Sequence, residues 1–230
     1  MTSRTASSEP QGEFARGWGV VLASMLGIGL GVAPLSTTYT LGPLVGPLSA
    51  EFGWSRASIM GVSLVMLLGM APTAFAVGWI ADRHGVRNVV VASQIAFAAC
   101  FAALGLFTTN LATFYAAYFV MAVLAAGTLP VTFARAISMR FDRQRGFALG
   151  LALAGTGLCG LFAPTFTALA VEAFGWRGAY LCLAALPLLA ILPALLLLPG
   201  RLAPAPSPEA PSAASAPAAV EPAQTVGVAL

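Results

Sequence analysis

Long stretches without a charged side chain constrain this sequence more than any other feature. Five of them hold 34, 25, 47, 26 and 23 residues, between Arg16 and Glu51, Arg56 and Asp82, Arg87 and Arg135, Arg145 and Glu172, and Arg177 and Arg201. A helix needs about 20 apolar residues to cross a bilayer, so the 47-residue stretch must hold two helices. The sequence therefore predicts six membrane crossings.

The composition excludes several other classes of protein. Of the residues, 59% are hydrophobic and 8% are charged, whereas soluble domains average about 25% charged. The net charge of +3 comes from Arg alone and lies between apolar spans, so no nucleic-acid partner is expected. Cys100, Cys159 and Cys182 lie in separate apolar spans and match neither a metal-ligand spacing nor a disulfide framework. We expect neither a metal nor a cofactor.

All six predicted spans are α-helices, because backbone groups in lipid must be paired internally and these runs lack the alternation of a barrel strand. The predicted helices are Trp18–Leu41, Ala57–Ile80, Asn88–Phe107, Leu111–Arg140, Gly146–Val171 and Gly178–Leu198. An irregular end with Pro43 and Pro47 follows the first helix. Residues 1–16 form a short N-terminal segment and 17–200 the membrane domain. Residues 201–230 hold ten Ala and six Pro, which predicts a linker or tail.

The arginines in alternate loops predict the orientation. One set of loops carries Arg4, Arg16, Arg83, Arg87, Arg140, Arg143, Arg145 and Arg201, and the other carries Arg56 and Arg177. Eight against two places both termini in the cytoplasm and the chain in the cell membrane. Both outer loops contain Phe-Gly-Trp, ending at Trp54 and Trp176. Anchoring at the membrane interface is sufficient to explain these tryptophans.

The turn between helices 2 and 3 carries the most specific motif, Gly78-Trp79-Ile80-Ala81-Asp82-Arg83-His84-Gly85-Val86-Arg87. Gly85 allows a turn with positive φ. Asp82 can pair with a basic neighbour or face a helix N-terminus, and such contacts can be made in one conformation and broken in another. A generic charged turn is the alternative.

This turn resembles the Gly-x-Leu-Ala-Asp-Arg-x-Gly-Arg-Lys/Arg loop of the major facilitator superfamily, with Ile80 in place of Leu and Val86 in place of a basic residue. The segments beginning at Arg145 and Phe174 resemble the bacterial branch similar to monocarboxylate porters. The resemblance implies half of a twelve-helix fold, built of 3+3 inverted repeats. It also implies that Gly78, Asp82, Arg83, Gly85 and Arg87 form a conformational-switch loop.

Two departures qualify the resemblance. Family members have two six-helix halves, whereas this chain has six predicted helices and then a linker. In well-studied monocarboxylate porters a Lys follows the Pro of helix 1, whereas Leu35 follows Pro34 here. The sequence therefore does not predict a proton-coupled, lactate-like mechanism.

Polar residues on helices 1 and 4, which line the solute path by resemblance, are the candidate substrate contacts. Thr128, Thr132 and Arg135 are spaced by four and three and share one face of a continuous helix. Arg135 either binds an anionic solute or extends its side chain to the cytoplasmic surface. Thr38 and Tyr39 follow Pro34 in helix 1. The alternative for each hydroxyl is a hydrogen bond between helices.

Small residues recur along helix 5 at Gly146, Gly150, Ala154, Gly157, Gly160 and Pro164. Such a stripe allows close helix packing, either static or against a second six-helix half.

Three functions remain open at this point. A transporter of a small solute, such as an organic anion, agrees best with the motifs. The alternative is a non-transporting half that associates with a separate second half or with another copy of itself. An intramembrane enzyme is not expected, since His84 is the sole histidine and lies in a loop.

Overall fold

The computed structural model describes residues 10–198, with side chains from residue 17, and every regular element within that range is helical. In chain order the elements are α1 (Pro10–Gly29), a π-helical turn (Pro34–Thr38), α2 (Leu41–Phe52), α3 (Arg56–Met60), α4 (Val62–His84), α5 (Val86–Phe107), α6 (Leu111–Leu124), a 3-10 turn (Ala125–Thr128), α7 (Pro130–Ser138) and α8 (Arg145–Leu197). The all-α prediction is confirmed. The predicted tail, 201–230, lies outside the described residues.

Within the described residues, five helical stretches are long and apolar enough to cross a membrane: Gly17–Phe52, Arg56–His84, Val86–Phe107, Leu111–Ser138 and Arg145–Leu197. The last would measure about 80 Å if straight, against about 30 Å of hydrocarbon core. It bends at Gly175, where φ is 69° and ψ is 177°. Phe162 before the bend and Leu186 after it line one cavity, so the two arms fold back on each other. The arms supply the fifth and sixth predicted helices.

The irregular part of the first segment lies at residues 30–40, not at Pro43 and Pro47 as predicted. Both prolines are helical residues of α2, and Pro43 falls in its first turn, where a backbone N–H has no helical partner. The interruption forms instead around Pro34, which has no N–H to donate. The Tyr39 N–H then bonds to the Pro34 carbonyl at 3.2 Å, which makes the π-helical turn.

The predicted continuous helix Leu111–Arg140 is also wrong. Pro130 begins α7 and cannot donate a backbone hydrogen bond back to α6. The preceding Leu129 is extended, with φ −66° and ψ 149°, as expected for a residue before proline. The chain therefore passes from α6 through a 3-10 turn into α7, which ends at Ser138. The first and fourth segments, each the first helix of a predicted three-helix repeat, are thus both interrupted.

The Phe-Gly-Trp motifs join helix ends instead of anchoring both tryptophans at an interface. Trp176 is only 6% exposed, and its indole N–H donates to the Glu51 carboxylate at the end of α2. Trp54 stacks on Phe52 with ring centroids 4.4 Å apart. Arg177 donates to the Gly105 carbonyl of α5 at 3.1 Å. Interfacial anchoring is therefore wrong for Trp176, which ties α8 to α2.

Candidate functional site

The two helix interruptions meet at Thr128. Its Oγ1 accepts a hydrogen bond from the Val32 N–H at 2.9 Å and donates one to the Ala125 carbonyl at 2.8 Å. Gly31 permits the close approach, since a Cβ there would lie 2.9 Å from the Thr128 carbonyl oxygen. A backbone N–H at membrane depth needs a partner, and the interruption removes the helical one. Thr128 of the fourth segment therefore stabilises the interruption of the first segment.

Gln94 of α5 pairs with a backbone carbonyl that the interruption leaves free. The Gly31 N–H donates to the Ile28 carbonyl at 3.1 Å instead of to the Gly27 carbonyl four residues back. The Gly27 carbonyl is therefore left without a helical donor. Gln94 Nε2 donates to that Gly27 oxygen at 3.3 Å. Gln94 is fully buried, and its Oε1 has no hydrogen-bond partner among residues 17–198, like the buried Ser24 Oγ and Thr132 Oγ1. Sequence analysis missed Gln94, although an amide in an apolar span was a visible signal.

Arg135 lies beside the turn motif. Its Nη1 forms an ion pair with the Asp82 carboxylate and donates to the Gly78 carbonyl at 2.9 Å. A Cβ at residue 78 would lie 2.8 Å from Arg135 Nη2, so glycine leaves room for the guanidinium. The structure thus brings together residues predicted for two separate roles. The hydrogen bonds of Arg135 to described residues come from Nη1, and the Arg135 side chain is 37% exposed.

The other residues of the predicted switch loop take separate positions. Gly85 joins α4 to α5 with φ 87°, a conformation that favours glycine. Arg83 lies over the Trp79 ring, 5.6 Å from its centroid. Arg87 is half-buried in the first turn of α5. Among the loop residues that the structure describes, Gly78 accepts a hydrogen bond from Arg135 and Asp82 forms an ion pair with it.

Thr128 does not share the α7 face of Thr132 and Arg135, because the predicted spacing assumed a continuous helix and the 3-10 turn and Pro130 interrupt it. Both threonines are buried, each 1% exposed, whereas the Arg135 side chain is 37% exposed. Thr128 is engaged by the first segment. The role of each residue in binding a solute stays a prediction.

Thr38 and Tyr39 lie nearer the surface of the bundle. Thr38 is exposed, and its hydroxyl donates to the Ala33 carbonyl at 3.0 Å. Tyr39 is half-buried and its ring covers Gly160, where a Cβ would lie 2.9 Å from the ring Cζ. The absence of a side chain at Gly160 therefore allows the Tyr39 ring to pack against α8.

The glycine stripe of α8 is open along most of its length. A Cβ at Gly146, Gly150 or Gly157 would meet no atom within 4 Å. Close packing inside the chain falls instead to Gly155, where a Cβ would lie 2.0 Å from the Met25 carbonyl oxygen of α1. The stripe thus has room for another body, and its packing role stays a prediction.

The described side chains can bind a solute through polar groups but do not form a metal-binding cluster. Within residues 17–198, no three His, Cys, Asp or Glu side chains come together in a group that could hold a metal ion. What the site presents is a guanidinium, hydroxyl groups and an interrupted pair of helices.

Comparison with known proteins indicates the family to which the chain is related. The family model described as Major Facilitator Superfamily matches residues 17–228. The chain is similar to monocarboxylate transporter 11 of Homo sapiens, 35% identical over 195 residues, and to that of Mus musculus, 30% identical over 185 residues, which cover 81% and 78% of this chain. It is also similar to a protein named as a niacin/nicotinamide transporter of Bacillus subtilis, 27% identical over 141 residues and 61% of this chain. The matches span 40%, 40% and 35% of those relatives.

Proposed function

This chain belongs to the major facilitator superfamily, and we propose that its six-helix unit moves a small organic anion, such as a monocarboxylate, across the cell membrane by alternating access. A second six-helix unit completes the carrier. The unit corresponds to residues 17–200, between the N-terminal segment 1–16 and the linker or tail 201–230. Both termini lie in the cytoplasm in this proposal.

The meeting of the two helix interruptions carries the proposal. Transporters built from inverted repeats bind solutes where helices are broken at corresponding positions of the repeats. Here the interruptions lie in the first and fourth segments and are joined by the Val32–Thr128 hydrogen bond. Non-helical backbone at membrane depth is tolerated only where it is buried in protein or lines a water-filled cavity. This placement supports a carrier over a static membrane anchor.

Arg135 supports an anion as the solute. The planar guanidinium of an arginine binds carboxylates in a bidentate manner. The Asp82 carboxylate already occupies Nη1. A carboxylate solute would bind the remaining donors or displace Asp82, and displacement would couple binding to the switch loop. The names of the relatives agree with a small carboxylate as one solute class.

The open glycine face of α8 supports the second six-helix unit. Small residues let helices approach closely in lipid, where packing rather than hydrophobic burial drives association. Gly146, Gly150 and Gly157 have no partner atom among the described residues. The same face also supports the second candidate function, a non-transporting subunit that binds a separate half or another copy of this chain.

Solute binding tests the anion proposal. The melting temperature of the purified chain in nanodiscs is measured with a series of short monocarboxylates and with their uncharged amides. We expect stabilisation by the acids only, lost in Arg135→Gln and kept in Arg140→Gln, an exposed arginine five residues away. An anion site at Arg135 would be contradicted if acids and amides stabilise the native chain equally. It would also be contradicted if the acids stabilise the Arg135→Gln and Arg140→Gln variants equally.

A further inference from the structure

A groove of about 540 Å³ lies between α4, α5 and α6. Its walls are mostly apolar and include Val77, Ile80, Val89, Ala92 and Leu124. In the segment Arg56–His84, which contains α4, only 22% of the most apolar window is buried inside the chain. The groove is therefore bounded by a helix whose apolar side chains mostly face outward from the chain.

The length of the groove matches one leaflet of a bilayer. Thr73 and His84 of α4 both line it, and eleven helical residues rise by about 16 Å. Half of a hydrocarbon core is about 15 Å. The Thr73 hydroxyl donates to the Gly69 carbonyl at 2.7 Å, so Thr73 needs no partner from a ligand. Such a cleft suits an unbranched hydrocarbon chain.

The mouth of the groove is polar, and the turn that carries it holds two arginines. His84 and Asn88 line it at the turn between α4 and α5, and Asn88 Nδ2 donates to the His84 carbonyl at 3.1 Å. Arg83 and Arg87 belong to the same turn, and neither forms an ion pair within residues 17–198. The turn has one acidic residue, Asp82, which is already paired. The charge at this end of the groove is therefore uncompensated.

We propose that this groove binds an anionic phospholipid, with an acyl chain between α4 and α5 and the phosphate headgroup at the His84–Asn88 mouth. The predicted orientation places this mouth at the cytoplasmic surface, where basic residues attract anionic lipids. The site is separate from the helix interruptions, and the proposal does not depend on the solute. A second six-helix unit fits the glycine face of α8 better, because small residues there admit a helix, whereas this groove is a cleft with a charged end.

Lipid retention measured by native mass spectrometry tests the site. The intact chain is reconstituted in vesicles of equimolar phosphatidylcholine and phosphatidylglycerol, re-extracted in mild detergent and weighed with its bound lipids. Ala92→Phe fills the groove, and Ala99→Phe, also exposed on α5 and two turns further along, is the matched control outside it. We expect the native chain and Ala99→Phe to retain phosphatidylglycerol in preference to phosphatidylcholine, and Ala92→Phe to lose it.

A substitution at the turn beside the mouth tests headgroup binding separately. It also tests the proposal if Ala92→Phe does not fold. Arg87→Gln should lower the preference for phosphatidylglycerol about fivefold, which is the effect of one basic residue at an anionic surface. Equal retention of both lipids by the native chain, or of phosphatidylglycerol by Ala92→Phe and Ala99→Phe, would overturn the proposal. A change in oligomeric mass of Ala92→Phe with unchanged lipid retention would also overturn it, because a second copy would then cover the groove.

Discussion

Replacing Gly155 with alanine should separate α1 from α8 and destabilise the bundle. The added Cβ would lie 2.0 Å from the Met25 carbonyl oxygen, whereas real Cβ contacts are essentially never closer than 3.0 Å. The obstacle is backbone and cannot rotate away, so the two helices must move apart by about 1 Å. The approach is reciprocal, since a Cβ at Gly29 would lie 2.6 Å from the Gly155 carbonyl oxygen, and that packing would also be disturbed.

The expected cost follows from two opposing effects. Overpacking of a close contact costs about 1–3 kcal/mol, and a backbone obstacle favours the upper end. Alanine in place of glycine in a helix returns about 1 kcal/mol. The net loss in the free energy of unfolding is therefore about 2 kcal/mol for Gly155→Ala. For a chain of this size, that loss lowers the melting temperature by about 4–8 °C.

Gly157→Ala is the matched control, because a Cβ there would meet no atom within 4 Å. Thermal unfolding of both variants in the same detergent, at matched protein concentration and in a monomeric state, gives the comparison. We expect Gly157→Ala to melt at or above the native temperature. Equal melting temperatures of the two variants would refute the packing of α1 on α8 at Gly155.

Three further predictions concern the interruptions, the ion pair and the topology. Thr128→Val should cost about 1–3 kcal/mol in urea or detergent unfolding, because the buried Val32 N–H loses its acceptor; Thr128→Ser should retain most of the stability, and equal losses in the two variants would contradict the hydrogen bond. Asp82→Asn should lower transport about tenfold, within the usual range of coupling free energies, when a second six-helix unit is supplied and the amount in the membrane is unchanged; unchanged transport would count against a switch role. A reporter fused after Arg201 should be active only if it functions in the cytoplasm, and periplasmic activity there would contradict the predicted orientation.

The six crossings could be predicted from the sequence because bilayer thickness sets the length of an apolar helix. The uncharged stretches reproduce the described segments, and the loop predicted near Gly175 coincides with the bend of α8. The interruptions were harder to place. Pro34 and Pro130 were visible, but whether a proline ends, bends or joins a helix depends on which neighbour satisfies the freed backbone groups. Those neighbours, Thr128 and Gln94, come from other segments.

The candidate site was predictable by residue type and not by arrangement. Arg135 and Asp82 each stood out as charges next to apolar spans, but they are 53 residues apart, and no local pattern pairs them. The expectation that Thr128 and Arg135 share a face failed because it assumed helical periodicity across Pro130. The packing glycine, Gly155, lies one position from the predicted stripe, and only the crossing of α1 and α8 distinguishes the two faces.

The central claim is that this six-helix unit is one part of an alternating-access carrier, and solute uptake by the chain alone tests it most directly. The purified 230-residue chain is reconstituted in vesicles, its oligomeric state is measured in parallel, and uptake of labelled monocarboxylates is followed over time. Alternating access needs two units that rock around a shared site, and a Cβ at Gly146, Gly150 or Gly157 of α8 would meet no described atom within 4 Å. We expect a strictly monomeric chain to show no saturable uptake. Saturable uptake by that monomer would contradict the account.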